Sequence, residues 1–210
     1  MRAILLLAMI AASAVLTVAA RTRDARRATY LFKPLTTLLI LSLALQAPGA
    51  PGAYQALIAI GLAFSLAGDV LLMLPSNRFV AGLVSFLVAH LWYLAAFVSV
   101  DGFGLSLLAL PCAAYFAVLL AILLPHTGRM KLPVIAYGLA IVAMAWQALE
   151  RGARAQTTGA WLAAAGAVLF VVSDSVLAYN RFVRGFRAAH AVVLGTYYLG
   201  QSLIALSVSY

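Results

Sequence analysis

Apolar residues in this chain run in long unbroken stretches, separated by short charged or Pro/Gly-rich breaks. They show neither the strict alternation of a half-buried strand nor the single apolar stripe of a soluble helix. Eight stretches stand out, near residues 3–20, 32–47, 54–74, 79–99, 104–124, 132–149, 158–178 and 188–208. Each approaches the roughly 20 residues that a helix needs to cross about 30 Å of hydrocarbon. A helix satisfies its own backbone within the segment, so the pattern predicts an all-α polytopic bundle of eight transmembrane helices. The stretches are too long and too continuously apolar for barrel strands. The intervening loops are short and hold no soluble unit, so residues 1–210 are expected to form a single transmembrane domain.

Composition strengthens this reading. Of 210 residues, 66% are hydrophobic and 9% are charged, against about half and a quarter in soluble domains. The first stretch follows Met1-Arg2 and ends near Val18-Ala19-Ala20, in the manner of a signal peptide. Its length and the Arg21, Arg23, Arg26 and Arg27 cluster behind it favour a retained first span. The lone Cys112 excludes an intrachain disulfide or a cysteine metal cluster.

The net charge of +9 does not read as a nucleic-acid surface, because the basic residues lie in the breaks and not along a polar face. Loops after the first, third, fifth and seventh stretches carry Arg21, Arg23, Arg26, Arg27, Lys33, Arg78, Arg129, Lys131, Arg181, Arg184 and Arg187. The opposite side carries Arg2, Arg151 and Arg154. Eleven against three places the richer side in the cytoplasm and both termini on the non-cytoplasmic side, as expected of a multi-pass protein in the inner (cell) membrane of a bacterium. The Ala47-Pro48-Gly49-Ala50-Pro51-Gly52 segment reads as a turn on that other side.

Two segments repeat. Ser65-Leu66-Ala67-Gly68-Asp69-Val70-Leu71-Leu72 with Asn77-Arg78-Phe79-Val80-Ala81-Gly82 matches Phe170-Val171-Val172-Ser173-Asp174-Ser175-Val176-Leu177 with Asn180-Arg181-Phe182-Val183-Arg184-Gly185. The spacing from Asp to Asn is eight residues in one and six in the other. The repeat relates span three to span seven and span four to span eight. An offset of four spans implies a parallel 4+4 repeat about an axis along the membrane normal. Asp69 and Asp174 then lie at similar depth, near the basic ends of their spans.

An acidic residue in hydrocarbon costs at least about 2.5–3.5 kcal/mol, so it must pair, face water or stay protonated. Asp69 and Asp174 are therefore the leading candidates for chemistry. If they share one cavity, their proton affinities should separate, leaving one acid and one base. His90 and Tyr93 share a face of span four. Lys33-Pro34 opens span two, and Lys33 is placed to meet a phosphate or an aspartate. Tyr197, Tyr198 and Gln201 cluster in span eight, where their polar groups need partners. His126 and His190 read as interfacial. With no His-x-x-x-His pair and no cysteine cluster, neither metal nor cofactor is expected.

The Gly68-Asp69 span end, Ala89-His90 with Tyr93, Ser173-Asp174-x-x-Leu177-Ala178, Tyr197-Tyr198-x-x-Gln201-x-Leu203-Ile204 and Lys33-Pro34 together resemble the lysoplasmalogenase (YhhN-like) family. The resemblance covers most of the chain in order. It departs at Gly68, where the familiar pattern has Ser-Asp. It implies a membrane hydrolase cleaving the vinyl ether of a lysophospholipid to a fatty aldehyde and glycerophosphoethanolamine or glycerophosphocholine. On that reading Asp69 and Asp174 supply acid and base, as paired carboxyls do in glycoside hydrolysis. Lys33, His90, Tyr93, Tyr197, Tyr198 and Gln201 would bind or orient substrate. A small proton-coupled transporter and a non-catalytic membrane protein are the alternative classes.

Overall fold

The computed structural model describes residues 2–48, 52–74 and 78–210. Eight long helices account for nearly all of them: α1 (Arg2–Thr22), α2 (Arg26–Leu45), α3 (Gly52–Met73), α4 (Phe79–Asp101), α5 (Ala109–Leu123), α6 (Lys131–Ala155), α7 (Thr158–Phe182) and α8 (Ala189–Leu206). With the short 3₁₀ turns that extend α5, α6 and α8, all eight are long and apolar enough to cross a membrane. Among the described residues there is no β-strand. Large apolar side chains such as Ile4, Val15, Leu105, Leu107, Leu110 and Leu132 stand exposed, as expected where the surrounding solvent is lipid.

Three boundaries differ most from the sequence expectation, each for a local reason. α2 starts at Arg26, so Lys33-Pro34 lies inside the helix and not at its start. Proline withholds one N–H from the ladder there, a loss that neighbouring helices in a bundle tolerate. α5 begins at Ala109 and not near 104. Gly102, with φ +71°, takes a left-handed turn at the end of α4 that favours glycine. Gln147 then clamps the following segment, its Nε2 donating to the Gly104 carbonyl at 2.9 Å and its Oε1 accepting from the Gly104 N–H at 2.8 Å. α6 continues past 149 to Ala155. Its Glu150 accepts from the Ser106 N–H and hydroxyl, and Arg151 pairs with Asp101 at 3.0 Å, so these polar groups do not end the helix.

The most extensive helix pairs are α3 with α4 and α7 with α8, each an antiparallel hairpin. Glycine permits their close approach, the usual device of helix contacts in lipid. A Cβ at Gly166 would lie 2.6 Å from the Gly200 carbonyl oxygen, and one at Gly68 would lie 2.7 Å from the Phe86 ring. Gly68 is thus the residue that lets α4 seat its phenyl ring beside the first aspartate.

The packing follows the expected four-helix offset. α2 packs on α3 and α8, while α6 packs on α7 and α4; exchanging the halves interconverts these contacts. The repeated motifs also meet, with the Phe79 and Phe182 rings edge to face at 6.2 Å. Asn77 of the first copy, and residues 49–51 of the expected Pro/Gly turn, lie outside the described residues.

The symmetry is broken by the outer helices. α1 lies against both α2 and α8, and the Ser13 and Thr36 hydroxyls share a hydrogen bond of 2.7 Å across that seam. α5 packs mainly on α6, with a lighter contact to α7. That difference leaves a cleft on the second half.

Candidate active site

Both aspartates sit where their helices approach the arginine-rich end of the bundle, but each has its own surroundings. Asp69 of α3 is almost entirely enclosed, with 1% of its surface exposed. Its Oδ2 accepts from the Thr37 hydroxyl of α2 at 2.6 Å and from the Tyr197 hydroxyl of α8 at 2.8 Å. Its Oδ1 lies 3.1 Å from Lys33 Nζ. Two charge-assisted hydrogen bonds and an ion pair therefore satisfy this carboxylate fully.

Asp174 of α7 accepts a hydrogen bond from the Tyr137 hydroxyl of α6. His90 of α4 places Nε2 at 3.9 Å from the same Oδ2, beyond hydrogen-bonding range. The His90 ring is wholly buried and packs edge to face on Tyr137 at 5.2 Å and on Phe170 at 4.7 Å. Neither imidazole nitrogen has a hydrogen-bond partner among the described residues. A buried polar group without a partner costs about 1–3 kcal/mol, so an imidazole left in this condition suits a group that binds something else.

The helices that supply these partners obey the repeat. Asp69 draws on α2 and α8, and Asp174 draws on α6 and α4. The two carboxyls do not share ligands: among the described residues, no side chain bonds to both. Aromatic rings fill the space between. Phe170 lies against His90 on one side and, at 5.4 Å, against Tyr197 on the other. Phe86 packs on both Phe170 and Tyr197.

Asp174 faces a cleft. Its cavity of about 60 Å³ is lined almost wholly by apolar side chains of α4, α5, α6 and α7, including Leu83, Leu120, Ile141 and Ala178. Asp174, Tyr137 and Ser175 are its polar members. Ser175 spends its hydroxyl hydrogen on the Val171 carbonyl at 2.7 Å, so it accepts from the Tyr115 hydroxyl of α5 at 2.7 Å. Phe79 and Phe182, the phenylalanines of the repeated motif, line the arginine-rich end of this cleft.

The remaining sequence candidates divide between these regions. Lys33 meets Asp69. The Tyr198 hydroxyl points to the Lys33 carbonyl at 3.5 Å. Tyr93 donates to Gln201 Oε1 at 2.7 Å and lies 3.2 Å from the Ser65 hydroxyl; this pair is buried among α3, α4 and α8 and contacts neither carboxyl group. Gln201 Nε2 has no partner among the described residues. His190 is exposed. Among the described residues, no three His, Cys, Asp or Glu side chains converge as a metal site would require.

Tyr137 escaped the sequence reading, yet a signal exists. Pro34 of α2 and Pro133 of α6 occupy matching places in the repeat, and hydroxyls follow at Thr37 and Tyr137. A second polar group also went unseen, at the opposite end of the bundle. Arg151 donates to the Tyr54 hydroxyl at 2.9 Å and lies over the Tyr54 ring, and Tyr54 in turn shares a hydrogen bond with Ser207.

Comparison with known proteins gives the family. The YhhN family pattern matches residues 28–208. The human protein "Lysoplasmalogenase TMEM86B" is 40% identical over 162 residues, covering 74% of this chain and 65% of that protein. The rat protein of the same name is 42% identical over 177 residues, covering 80% and 67%. "Uncharacterized membrane protein YhhN" of Escherichia coli O157:H7 is 35% identical over 197 residues, covering 93% and 94%. The chain thus spans just under two thirds of the human relative's length. No solved structure matches it. By the extent of these matches and the order of its eight helices, the chain belongs to the YhhN family of membrane proteins.

Proposed function

We propose that this protein hydrolyses the vinyl ether bond of a lysoplasmalogen, giving a fatty aldehyde and glycerophosphoethanolamine or glycerophosphocholine. The observation that carries the reading is Asp174, a carboxyl group on the wall of an apolar cleft, beside a buried imidazole with no partner among the described residues. The relatives named lysoplasmalogenase supply the substrate class.

The chemistry needs one proton in the right place. In its protonated form Asp174 donates to the β-carbon of the enol ether, leaving an oxocarbenium ion at the carbon that bears oxygen. The resulting carboxylate stabilises that cation, as carboxylates do beside glycosyl cations. His90 takes a proton from the attacking water. The hemiacetal then collapses: its hydroxyl gives its proton to the Asp174 carboxylate, the carbonyl forms, and the glycerol oxygen leaves with the proton held by His90. Tyr137 fixes the Asp174 carboxyl through its hydrogen bond. Asp69, already bound by Lys33, Thr37 and Tyr197, acts at one remove. It holds α2, α3 and α8 together behind the Phe170 ring that supports His90. Tyr93, Tyr198 and Gln201 orient the same helices.

Residues 1–210 would work as one transmembrane unit. The eleven-to-three bias of basic residues supports an arginine-rich end in the cytoplasm and termini on the other side.

The test is aldehyde release by the purified protein in detergent, with a lysoplasmalogen and an acyl lysophospholipid offered separately. The reading expects aldehyde from the first and no cleavage of the second. Substrate flux into sealed vesicles with no aldehyde would instead identify a carrier.

A further inference from the structure

A cation stands beside the cleft at Asp174. The Arg181 guanidinium lies over the Phe79 ring, 4.9 Å from its centroid, and Phe79 and Phe182 both line the cleft. Arg181 is exposed, and no carboxylate among the described residues pairs with it. Lys33, the cation nearest the other aspartate, is committed to Asp69. Asp174 and Arg181 are two turns apart on one face of α7, so they are separated by about 10 Å along the helix axis.

A lysophospholipid matches this ruler. Seven bonds connect its phosphorus to the β-carbon of an sn-1 vinyl ether. At about 3.5 Å per three bonds they reach roughly 8 Å when extended. The enclosed part of the cleft, about 60 Å³, has room for only the reacting end of a lipid. Resting on the hydrolase reading above, we propose that Arg181 is the phosphate-binding residue of the substrate site. The guanidinium, seated on Phe79, holds the headgroup phosphate at the cleft mouth and sets the vinyl ether at Asp174. The lipid tail beyond the first few carbons stays in the bilayer. An arginine suits this role because its planar fork binds phosphate oxygens in pairs.

The experiment compares a lysoplasmalogen with the phosphate-free 1-alkenylglycerol, using wild type, Arg181→Gln, Arg181→Lys and, as a control, Arg184→Gln. Arg184 is exposed nearby, and unlike Arg181 its guanidinium does not lie over a ring that lines the cleft. For Arg181→Gln, KM for the lysoplasmalogen should rise roughly ten- to hundredfold, the worth of a hydrogen-bonded charge pair, with kcat little changed. The advantage of the phosphorylated lipid over 1-alkenylglycerol should vanish in that variant and survive in Arg184→Gln. Arg181→Lys should fall between. Equal changes for both substrates, no change, or the same effect in Arg184→Gln would overturn the proposal. Should Arg181→Gln not fold, an unchanged KM in Arg181→Lys would do so too.

A binding arm keeps this question separate from catalysis. A non-hydrolysable alkyl-ether lysophosphatidylethanolamine should raise the melting temperature of wild type and of Arg184→Gln more than that of Arg181→Gln. Inorganic phosphate at the same concentration should give no shift. If wild type releases no aldehyde from either lipid, the hydrolase reading fails, and this arm alone decides the headgroup site. Equal stabilisation of wild type and Arg181→Gln, or an equal shift with inorganic phosphate, would then reject it.

Discussion

Asp69 and Asp174 stand at matching positions in two similar halves. Each takes one hydroxyl from the helix that precedes its own by one: Thr37 for Asp69, Tyr137 for Asp174. Each also meets one side chain from the opposite half, Tyr197 and His90 respectively. From there the halves part. The first adds a lysine, and α1 covers the helices that hold it. Among the described residues the second has no lysine or arginine in that place, and α5 stands far enough off to leave a cleft. One carboxylate is satisfied on every side, and the other keeps an open approach and a neighbour with unused nitrogens. The two acids hold equivalent places in the halves; the outer helix and the lysine leave one enclosed and the other beside a cleft.

The largest expected effect breaks the open half. Asp174→Asn removes the proposed proton donor and should lower aldehyde release by about 10²–10⁴-fold, the usual contribution of a positioned acid. Asp69→Asn should cost less in rate and more in stability. Turnover and thermal unfolding of both variants check the contrast.

Next comes the cleft itself. Ala178→Trp fills space beside Asp174 without touching Lys33 or Asp69. Turnover should fall by roughly tenfold or more while the protein still folds, because the added bulk excludes the reacting end of the lipid; overpacking of this kind costs about 1–3 kcal/mol in stability. Wild-type turnover in a folded Ala178→Trp protein would place the reaction elsewhere.

The closed half should answer chiefly in stability. Lys33→Met leaves the Asp69 carboxylate without its cation, and breaking a buried pair costs about 3–5 kcal/mol; as Lys33 is slightly exposed, the lower end is expected. Adding Asp69→Asn should restore much of the loss. A double-mutant cycle by denaturant unfolding measures that coupling.

The smallest contrast compares two hydroxyls. Tyr197→Phe removes one hydrogen bond from Asp69 and should destabilise the protein by about 1–2 kcal/mol with modest change in rate. Tyr137→Phe frees Asp174 and should change kcat more than stability. Equal behaviour of the two variants would erase the distinction between the halves.

Much of this comparison was legible in the sequence. Long apolar runs fix the eight helices, since lipid tolerates few other ways to satisfy a backbone. The repeated Asp and Asn-Arg-Phe motifs foretold equivalent carboxyls, because a duplicated helix pair carries its buried polar groups with it. Four things were not legible. Whether Asp69 and Asp174 share a cavity depends on Phe86 and Phe170, which look like any other apolar residue in a run. Tyr137 reads as an ordinary span tyrosine until α6 is aligned with α2. The cleft arises because α5 packs less closely than α1, a tertiary property that no local pattern encodes. Glu150 and Arg151 likewise looked like a helix end, and only their partners across the bundle let α6 continue.

The central claim is that Asp174 delivers a proton to carbon. Hydrolysis of a lysoplasmalogen in deuterium oxide, with the aldehyde trapped at once and weighed by mass spectrometry, tests it most directly. Wild type and Asp69→Asn should each place one deuterium on the carbon next to the aldehyde, and Asp174→Asn should form almost no aldehyde above the uncatalysed background. Labelled aldehyde from Asp174→Asn at the wild-type rate, or wild-type aldehyde without deuterium, would contradict the account.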